Sequence, residues 1–294
     1  MTDGPSAAGY GPVDVLLILD GATDPAPSTL DQAHTPALDR LAAEGETEWL
    51  ELLDQGVPVG SETAIASLLG WRPDGPVDRA LLEAAARGLE PAAGERVWRV
   101  DLHGGHRLLL FAAPPLPEIE ADVPVRVWPD GLRPPRTLDH RTVVIGAAGA
   151  ATGLAALMGA RAVVPPGATG KPGSDLAGKR RAALAAIREG AERVVVHVGG
   201  ADEAAHARDR ATKVAVLEAT DRELTGPLAD AVGAVGGELR VCADHGCDPA
   251  TGEHLAGPVP CVCWSAARAA AGSRGPRGTR LSARLHAGGA AVAT

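Results

Sequence analysis

The chain contains very few aromatic residues and hardly any lysine. Aromatic residues make up 2% of its 294 positions, and three lysines stand against twenty-five arginines. A core with so few aromatic rings must be built from Ala, Val and Leu, which suits a parallel sheet covered by helices. The formal net charge is −9, which argues against a general nucleic-acid binder or a binder of acidic membranes.

Long apolar runs are also missing. The longest ones, such as residues 13–19 and 194–198, have the length of strands and are far too short to cross a bilayer. The first twelve residues are polar and rich in Gly and Pro, without the basic and apolar regions of a secretory signal. We therefore predict a cytoplasmic protein that does not associate with membranes.

Cysteine is scarce, with four residues in the chain. This number does not suggest a disulfide framework in a chain of this length, and it fits a reducing compartment. The spacings Cys242-x4-Cys247 and Cys261-x-Cys263 differ from those of zinc fingers. We interpret all four as thiols of the core.

Short apolar runs alternate with helical patterns along most of the chain. A near-continuous apolar run is typical of a strand that is buried on both faces. Strands separated by helices predict an α/β fold with a doubly wound, mostly parallel sheet. The predicted strands are residues 13–19, 142–145, 162–164, 193–198, 238–242 and 259–264.

The middle of the chain has a different character. A helix-like run is followed by two alternating segments and by seven prolines between Pro114 and Pro135, a density that excludes a central strand or a long helix. We predict a small inserted cap domain or lid here, and a flexible excursion without a site of its own is the alternative. The predicted bounds are 73–139 for the cap and 1–72 with 140–294 for the core.

The stretch Pro58-Val59-Gly60-Ser61-Glu62-Thr63-Ala64 predicts a glycine-hinged turn that leads into a helix. Ser61 would then lie at the helix N-terminus, where free N–H groups and the helix dipole favour a phosphate or a developing alkoxide. Such a serine is either a nucleophile or simply the N-cap of the helix. The residues that follow the predicted strands favour the nucleophile.

Metal-ligand-type residues occur at four places along the chain, each a strand end or a loop between predicted strands. Open α/β sheets bind their ligands at the carboxyl ends of the strands, so these side chains are expected to share one edge of the sheet. Asp202 and His206 are four residues apart, and one helical turn can direct both at the same ion. The set is Asp20, Asp202, His206, Asp244, His245 and His254.

Several motifs resemble the cofactor-independent phosphoglycerate mutases of the archaeal type, within the alkaline phosphatase superfamily. The resemblance lies in both predicted core blocks and follows the order of the family. The matching segments are 19–21, 35–45, 58–64, 68–71, 166–170, 202–206, 243–245 and 254–260.

The resemblance implies an alkaline-phosphatase-like core with two divalent metal ions around a serine nucleophile. Asp20, Ser61, Asp244 and His245 would hold one ion, and Asp202, His206 and His254 would hold the other. Mixed Asp and His ligands suit manganese, our first choice, and also zinc, cobalt or magnesium.

The implied activity is phosphoryl transfer through a phosphoserine, as in a phosphoglycerate mutase, on a small phosphorylated acid. The predicted cap is shorter than that of the family, which leaves a phosphatase open as the alternative. A silent homologue that binds a phosphorylated metabolite or a partner is the non-enzymatic alternative, although every ligand position is filled. The sequence does not predict an oligomeric state.

Four basic residues are candidates for gripping the substrate: Lys171, Arg79, Arg99 and Arg107. Each could bind a phosphate or carboxylate oxygen, and the alternative for each is a solvated surface residue. His197 lies inside a predicted buried strand, and we interpret it as a hydrogen-bonded core histidine rather than a metal ligand.

Overall fold

The computed structural model of the chain describes residues 12–103, 106–116, 118–119 and 123–271. The N-terminal stretch for which the sequence predicts no secretory signal lies, apart from Pro12, outside these ranges. Within them, no helix is long and apolar enough to cross a membrane.

The strands and helices alternate along much of the chain. In chain order the strands are β1 (Asp14–Leu19), β2 (Glu46–Leu50), β3 (Arg96–Leu102), β4 (His106–Ala112), β5 (Val125–Val127), β6 (Thr142–Ile145), β7 (Arg161–Val163), β8 (Arg193–Val198), β9 (Glu238–Cys242), β10 (Gly246–Asp248), β11 (Glu253–Leu255) and β12 (Val259–Trp264). The α-helices are α1 (Thr29–Gln32), α2 (Pro36–Glu44), α3 (Ser61–Leu68), α4 (Arg79–Ala85), α5 (Ala150–Met158), α6 (Leu176–Arg188), α7 (Gly200–His206), α8 (Arg210–Thr220), α9 (Gly226–Ala234) and α10 (Ala266–Ala271).

A seven-stranded sheet forms the centre of the molecule, in the order β2-β12-β9-β1-β8-β6-β7. Strands β9, β1, β8, β6 and β7 are parallel, whereas β12 runs antiparallel to both of its neighbours. The predicted doubly wound, mostly parallel sheet is therefore confirmed.

The central strand β1 is apolar at nearly every position because both of its faces are covered. Leu17 packs in one cluster with residues of α2, α6, α8 and α9. Leu16 and Ile18 pack on the other face with residues of α3, α4 and α5. Two layers of helices thus enclose the sheet and fix the positions of the strand ends.

Two predicted elements differ in detail. Residues 213–232 have the amphipathic pattern of one long helix, but they belong to α8 and α9, which are joined by the π-helical segment Asp221–Thr225. The sequence analysis missed the edge strand β2, because its half-exposed residues lack a buried apolar run.

A separate three-stranded sheet, with the order β4-β3-β5, lies within the predicted insert. Helix α4 connects it to the core. Leu82 belongs to the apolar cluster that contains Leu16 and Ile18 of β1, while Ala80 and Ala84 pack against Val97 of β3. At Gly153 of α5, an added Cβ would lie 2.1 Å from the carbonyl oxygen of Leu82, so only glycine permits this approach. The domain boundaries stay a prediction.

Candidate active site

The metal-ligand-type residues named above meet at the carboxyl edge of the central sheet. Each is placed by an element that ends or begins there. Asp20 follows β1, Asp202 and His206 lie on α7 directly after β8, Asp244 and His245 follow β9, His254 lies in β11, and Ser61 is the first residue of α3.

One cluster consists of Asp20, Asp244, His245 and Ser61. The ligand atoms of the first three lie within 4.8 Å of one another, and all three residues are buried. The hydroxyl of Ser61 donates to Asp20 at 3.3 Å from Oδ1, and its Oγ lies 3.4 Å from His245 Nε2. The serine oxygen therefore shares a small volume with the ligands.

A second cluster is formed by Asp202, His206 and His254. Nε2 of His206 lies 3.1 Å from Asp202 Oδ2, Nε2 of His254 lies 3.5 Å from Asp202 Oδ1, and the two Nε2 atoms are 3.0 Å apart. These atoms are close enough to one another to bind a single ion. The thiol of Cys247 belongs to the same group, within 4.8 Å of a ligand atom of each of the three residues and 4.0 Å from His206 Nδ1.

The backbone orients the imidazole rings. Nδ1 of His206, His254 and His245 lies within 2.7, 3.0 and 3.1 Å of the carbonyl oxygens of Gly252, Val59 and Gly246, respectively. A carbonyl only accepts hydrogen bonds, so each Nδ1 carries a proton and each Nε2 faces its cluster. This arrangement is typical of metal-binding histidines.

Gly21 brings the two clusters together. It has φ +63, in the left-handed region, and a Cβ at this position would lie 2.6 Å from Asp202 Oδ1. Its N–H donates to Asp244 Oδ1 at 3.2 Å. A glycine after Asp20 thus allows the carboxylate of the second cluster to approach the first.

Three crowded carboxylates give the site its electrostatic character. Burial raises the pKa of Asp244 to about 7, with a further contribution from Asp20. Burial and the nearby Asp202 also raise the pKa of Asp20. Burial opposes ionisation of Asp202 too, but the neighbouring imidazoles of His206 and His254 hold its pKa below the usual range.

Two buried carboxylate oxygens, Asp202 Oδ1 and Asp244 Oδ2, find no hydrogen-bond donor within the described part of the chain. Uncompensated oxygens of this kind are costly in a protein interior. Divalent cations would satisfy them, and the mixed oxygen and nitrogen donors suit borderline metals. The residues therefore fit a metal centre.

A cavity of about 470 Å³ opens onto this centre. Its wall includes Asp20 and Ser61, together with the basic residues Arg79, Arg87 and Lys171. Glu83 and Glu203 line it as well, so acidic side chains lie beside the three basic ones, which together are named the rim. This combination suits a small molecule with several negative charges bound together with cations.

His197 lies in this wall and is buried. Its Nε2 is 3.0 Å from Asp20 Oδ2, and burial lowers its pKa to about 4. The buried Lys179 donates to its carbonyl oxygen at 2.7 Å. His197 is thus a hydrogen-bonded core histidine, as interpreted from the sequence, and it also steadies the Asp20 carboxylate.

The candidate substrate-binding residues are distributed unevenly. Arg79 and Lys171 line the cavity, and Arg79 is paired with Glu62 and, at 3.4 Å, with Glu83. Arg99 is not part of the lining: its guanidinium is buried against Glu83 at 2.6 Å and against Asp101 at 3.0 Å.

The fourth candidate, Arg107, belongs to β4, and its side chain lies outside the described residues. The sequence analysis missed Arg87, which lines the cavity. The signal that could have found it is its spacing, because Arg79, Glu83 and Arg87 recur every four residues and so share one helix face.

Comparison with known proteins identifies the family. The model of the metalloenzyme superfamily matches residues 13–284. The chain belongs to this superfamily. The family predicted from the sequence motifs is thereby confirmed, and the fit of the site residues to metal ions agrees with it.

Proteins similar to this chain in sequence include archaeal proteins named 2,3-bisphosphoglycerate-independent phosphoglycerate mutase. The Methanoculleus marisnigri protein is 26% identical over 84% of this chain and 87% of its own length. Other matches are shorter. Those with the Methanopyrus kandleri and Methanothermobacter thermautotrophicus mutases are 32% and 33% identical but span 42% and 46% of this chain and only 29% and 35% of the relatives' length.

Solved structures show the same fold. A protein from Pyrococcus horikoshii superimposes with a TM-score of 0.69 at 22% identity, over 85% of this chain and 84% of that one. The cofactor-independent phosphoglycerate mutase from Thermoplasma acidophilum gives 0.55 at 16% identity, over 92% of both chains. A TAB5 alkaline phosphatase gives 0.50 at 9% identity, over 87% and 92%.

Proposed function

We propose that this chain is a two-metal phosphoryl-transfer enzyme that uses Ser61 as its nucleophile, and that it acts like a phosphoglycerate mutase on a small phosphorylated acid. The observation that carries this proposal is the position of Ser61. Its Oγ lies at the N-terminus of α3, within 3.4 Å of Asp20 and His245, and lines the cavity.

Asp20, Asp244, His245 and Ser61 would hold one ion, and Asp202, His206 and His254 the other. When bound, two divalent ions neutralise a phosphate monoester and lower the pKa of the serine hydroxyl. We propose manganese as the ion, because the donors are carboxylate and imidazole groups. Ser61 shares one cluster with His245 and also lines the cavity.

The residues of the chain carry out the transfer itself. Ser61 Oγ attacks phosphorus, its P–O bond forms as the ester oxygen leaves, and its proton departs toward Asp20, to which it already donates. The N–H groups at the start of α3 and the basic rim stabilise the negative oxygens. In a mutase, the phosphoryl group then returns from Ser61 to another oxygen of the same molecule.

The part of the substrate farthest from the transferred phosphoryl group would contact the basic residues of the rim. Arg87 and Lys171 lie on the cavity wall and are positioned to bind a carboxylate or a phosphate oxygen. Arg79 is already neutralised by Glu62 and Glu83, so we assign it a positioning role for the rim rather than the main grip.

A phosphatase is the second candidate, and one observation favours it. The part of the insert that reaches the cavity is α4, and among the described residues that line it none belongs to β3, β4 or β5. A phosphoserine that the small sheet does not cover is open to water, which would release inorganic phosphate. The similarity to named mutases keeps the mutase as our first choice.

The two candidates are distinguished by supplying 3-phosphoglycerate with manganese and following the phosphorus NMR resonances over time. Appearance of 2-phosphoglycerate is the expected result, with some inorganic phosphate from leakage. Inorganic phosphate alone would assign the chain to the phosphatases. Absence of both from this and other small phosphate monoesters, in a metal-loaded protein, would favour the silent homologue.

A further inference from the structure

A group of sulfur and oxygen atoms lies on the central sheet away from the active site. Cys261 and Cys263 are two residues apart on β12 and therefore face the same side of the sheet. Glu48 of the edge strand β2 is directly opposite Cys261 in the strand register. The three residues come together only because β2 pairs with β12, which the spacing of the cysteines cannot show.

Their separations match those of ligands around one small ion. Sγ of Cys261 lies 3.8 Å from Sγ of Cys263, which lies 3.4 Å from Glu48 Oε1. In a tetrahedral zinc site with Zn–S of about 2.3 Å and Zn–O of about 2.0 Å, neighbouring ligand atoms are about 3.8 Å (S to S) and about 3.5 Å (S to O) apart. All three donor atoms lie within 4.8 Å of one another.

The group is distinct from the catalytic centre. Cys263 pairs with Arg240 of β9, four residues before Asp244, which corresponds to about 13 Å along a strand. The cysteine near the catalytic histidines is a different one, Cys247. Because Glu48 is exposed whereas both thiols are buried, an ion can reach the group from the solvent side.

We propose that Glu48, Cys261 and Cys263 form a binding site for a zinc-class ion that clamps the edge strand β2 to β12, with water as the fourth ligand. Binding of the ion displaces one proton from each thiol to solvent, so two thiolates and one carboxylate hold the divalent cation. Thiolate ligands select zinc and softer ions, whereas the carboxylates and imidazoles of the active site accept manganese.

Both thiols hold their protons firmly, and ion binding has to overcome this. Hydrogen bonding with Cys242 raises the pKa of Cys261, and hydrogen bonding with Cys261 raises the pKa of Cys263. Both groups are therefore thiols at neutral pH until a cation displaces their protons. Binding should consequently weaken as the pH falls.

Cadmium is the probe, because cadmium bound to a thiolate gives an ultraviolet charge-transfer band. The full chain is stripped of metal, kept reduced with a phosphine and titrated with Cd²⁺. We expect one equivalent of ion to produce the thiolate band. Cys263→Ser should lose the band, and Glu48→Gln, a change at an exposed position, should weaken the affinity at least ~10-fold.

Two control variants separate this site from the catalytic centre. Cys247→Ser removes the thiol beside the catalytic histidines, and His206→Ala removes a catalytic ligand, and both should keep the band. The proposal is overturned if the wild-type chain gives no band, if Cys247→Ser abolishes it, or if Glu48→Gln binds cadmium as tightly as the wild type. Glu48→Gln decides the matter even if Cys263→Ser does not fold.

Discussion

The central sheet and the small sheet of the insert are held together in different ways. The strands of the central sheet are covered on both faces by large apolar clusters. Among the described residues, the small sheet has a much smaller cluster: Val97 is buried with Ala80 and Ala84 of α4, and Leu109 and Phe111 pack against them partly buried. Three of its apolar residues remain exposed, namely Leu108, Val125 and Val127.

Polar contacts compensate for the small core of the insert. Arg99 of β3 binds Glu83 of α4 and Asp101, and its guanidinium stacks over Trp128 at 4.2 Å. The candidate ligands of the active site follow or adjoin strands of the central sheet, which is the well-packed part of the molecule. The small sheet connects to the cavity through Glu83, which binds Arg99 and lines the cavity wall.

The largest effect is expected in the core, at the nucleophile. Ser61→Ala should reduce turnover at least ~10³-fold, because the attacking oxygen is lost while the packing of α3 is kept. Activity on the best substrate, measured with manganese, checks this. Ser67→Ala is the matched control: its hydroxyl donates to the Thr63 carbonyl on the same helix, and its activity should stay near that of the wild type.

The metal ligands should show the next largest effect. Asp244→Asn and His206→Ala each remove a donor from a different cluster, so each purified variant should contain about one bound ion fewer than the wild type and lose most of its activity. Elemental analysis gives the metal content. Glu253→Gln, at an exposed position next to His254, should leave the content unchanged, and equal content in all the variants would refute the site.

A change in the ion-pair network around Glu83 tests how the small sheet of the insert is held in place. Arg99→Met leaves the buried Glu83 with less positive charge, and we expect the free energy of unfolding in urea to fall by about 3 kcal/mol. Arg96→Met is the control on the same strand. Its partner Asp130 is half exposed, so the loss should be below about 1 kcal/mol. Equal losses would mean that the network does not support the insert.

The smallest effect is expected at the rim of the cavity. Arg87→Met removes one charged donor from the wall, which should raise KM about tenfold without changing the metal content. Steady-state kinetics with manganese measures this. Arg72→Met removes an exposed arginine outside the cavity that is paired with Asp54 at 3.2 Å, and its KM should not change. An unaltered KM in both variants would remove Arg87 from the substrate site.

The sequence predicted the core well because its signals are local. A buried parallel strand is an apolar run, and a ligand at its carboxyl end is simply the next residue, as with Asp20 after β1. That Asp202 and His206 face the same ion could be predicted from the helical period alone, because residues four apart lie on one face of a helix.

Features that depend on pairing between distant segments could not be predicted in the same way. The partners of Arg99 follow from the packing of α4 on β3, and the position of Glu48 beside two cysteines follows from the register of β2 on β12. The contact of His197 with Asp20 likewise needs two neighbouring strands in a fixed register.

The central claim is that Ser61 carries the phosphoryl group during turnover. The most direct test is to quench the manganese-loaded enzyme in acid while it turns over its best phosphate monoester, and to map the phosphorylated peptide by mass spectrometry. We predict that the mass of one phosphoryl group appears on the peptide containing Ser61, and that Ser61→Ala lacks it. A phosphoryl group on another residue would contradict the claim. So would the absence of any phosphorylated peptide at every time point of a single-turnover time course in which substrate is consumed.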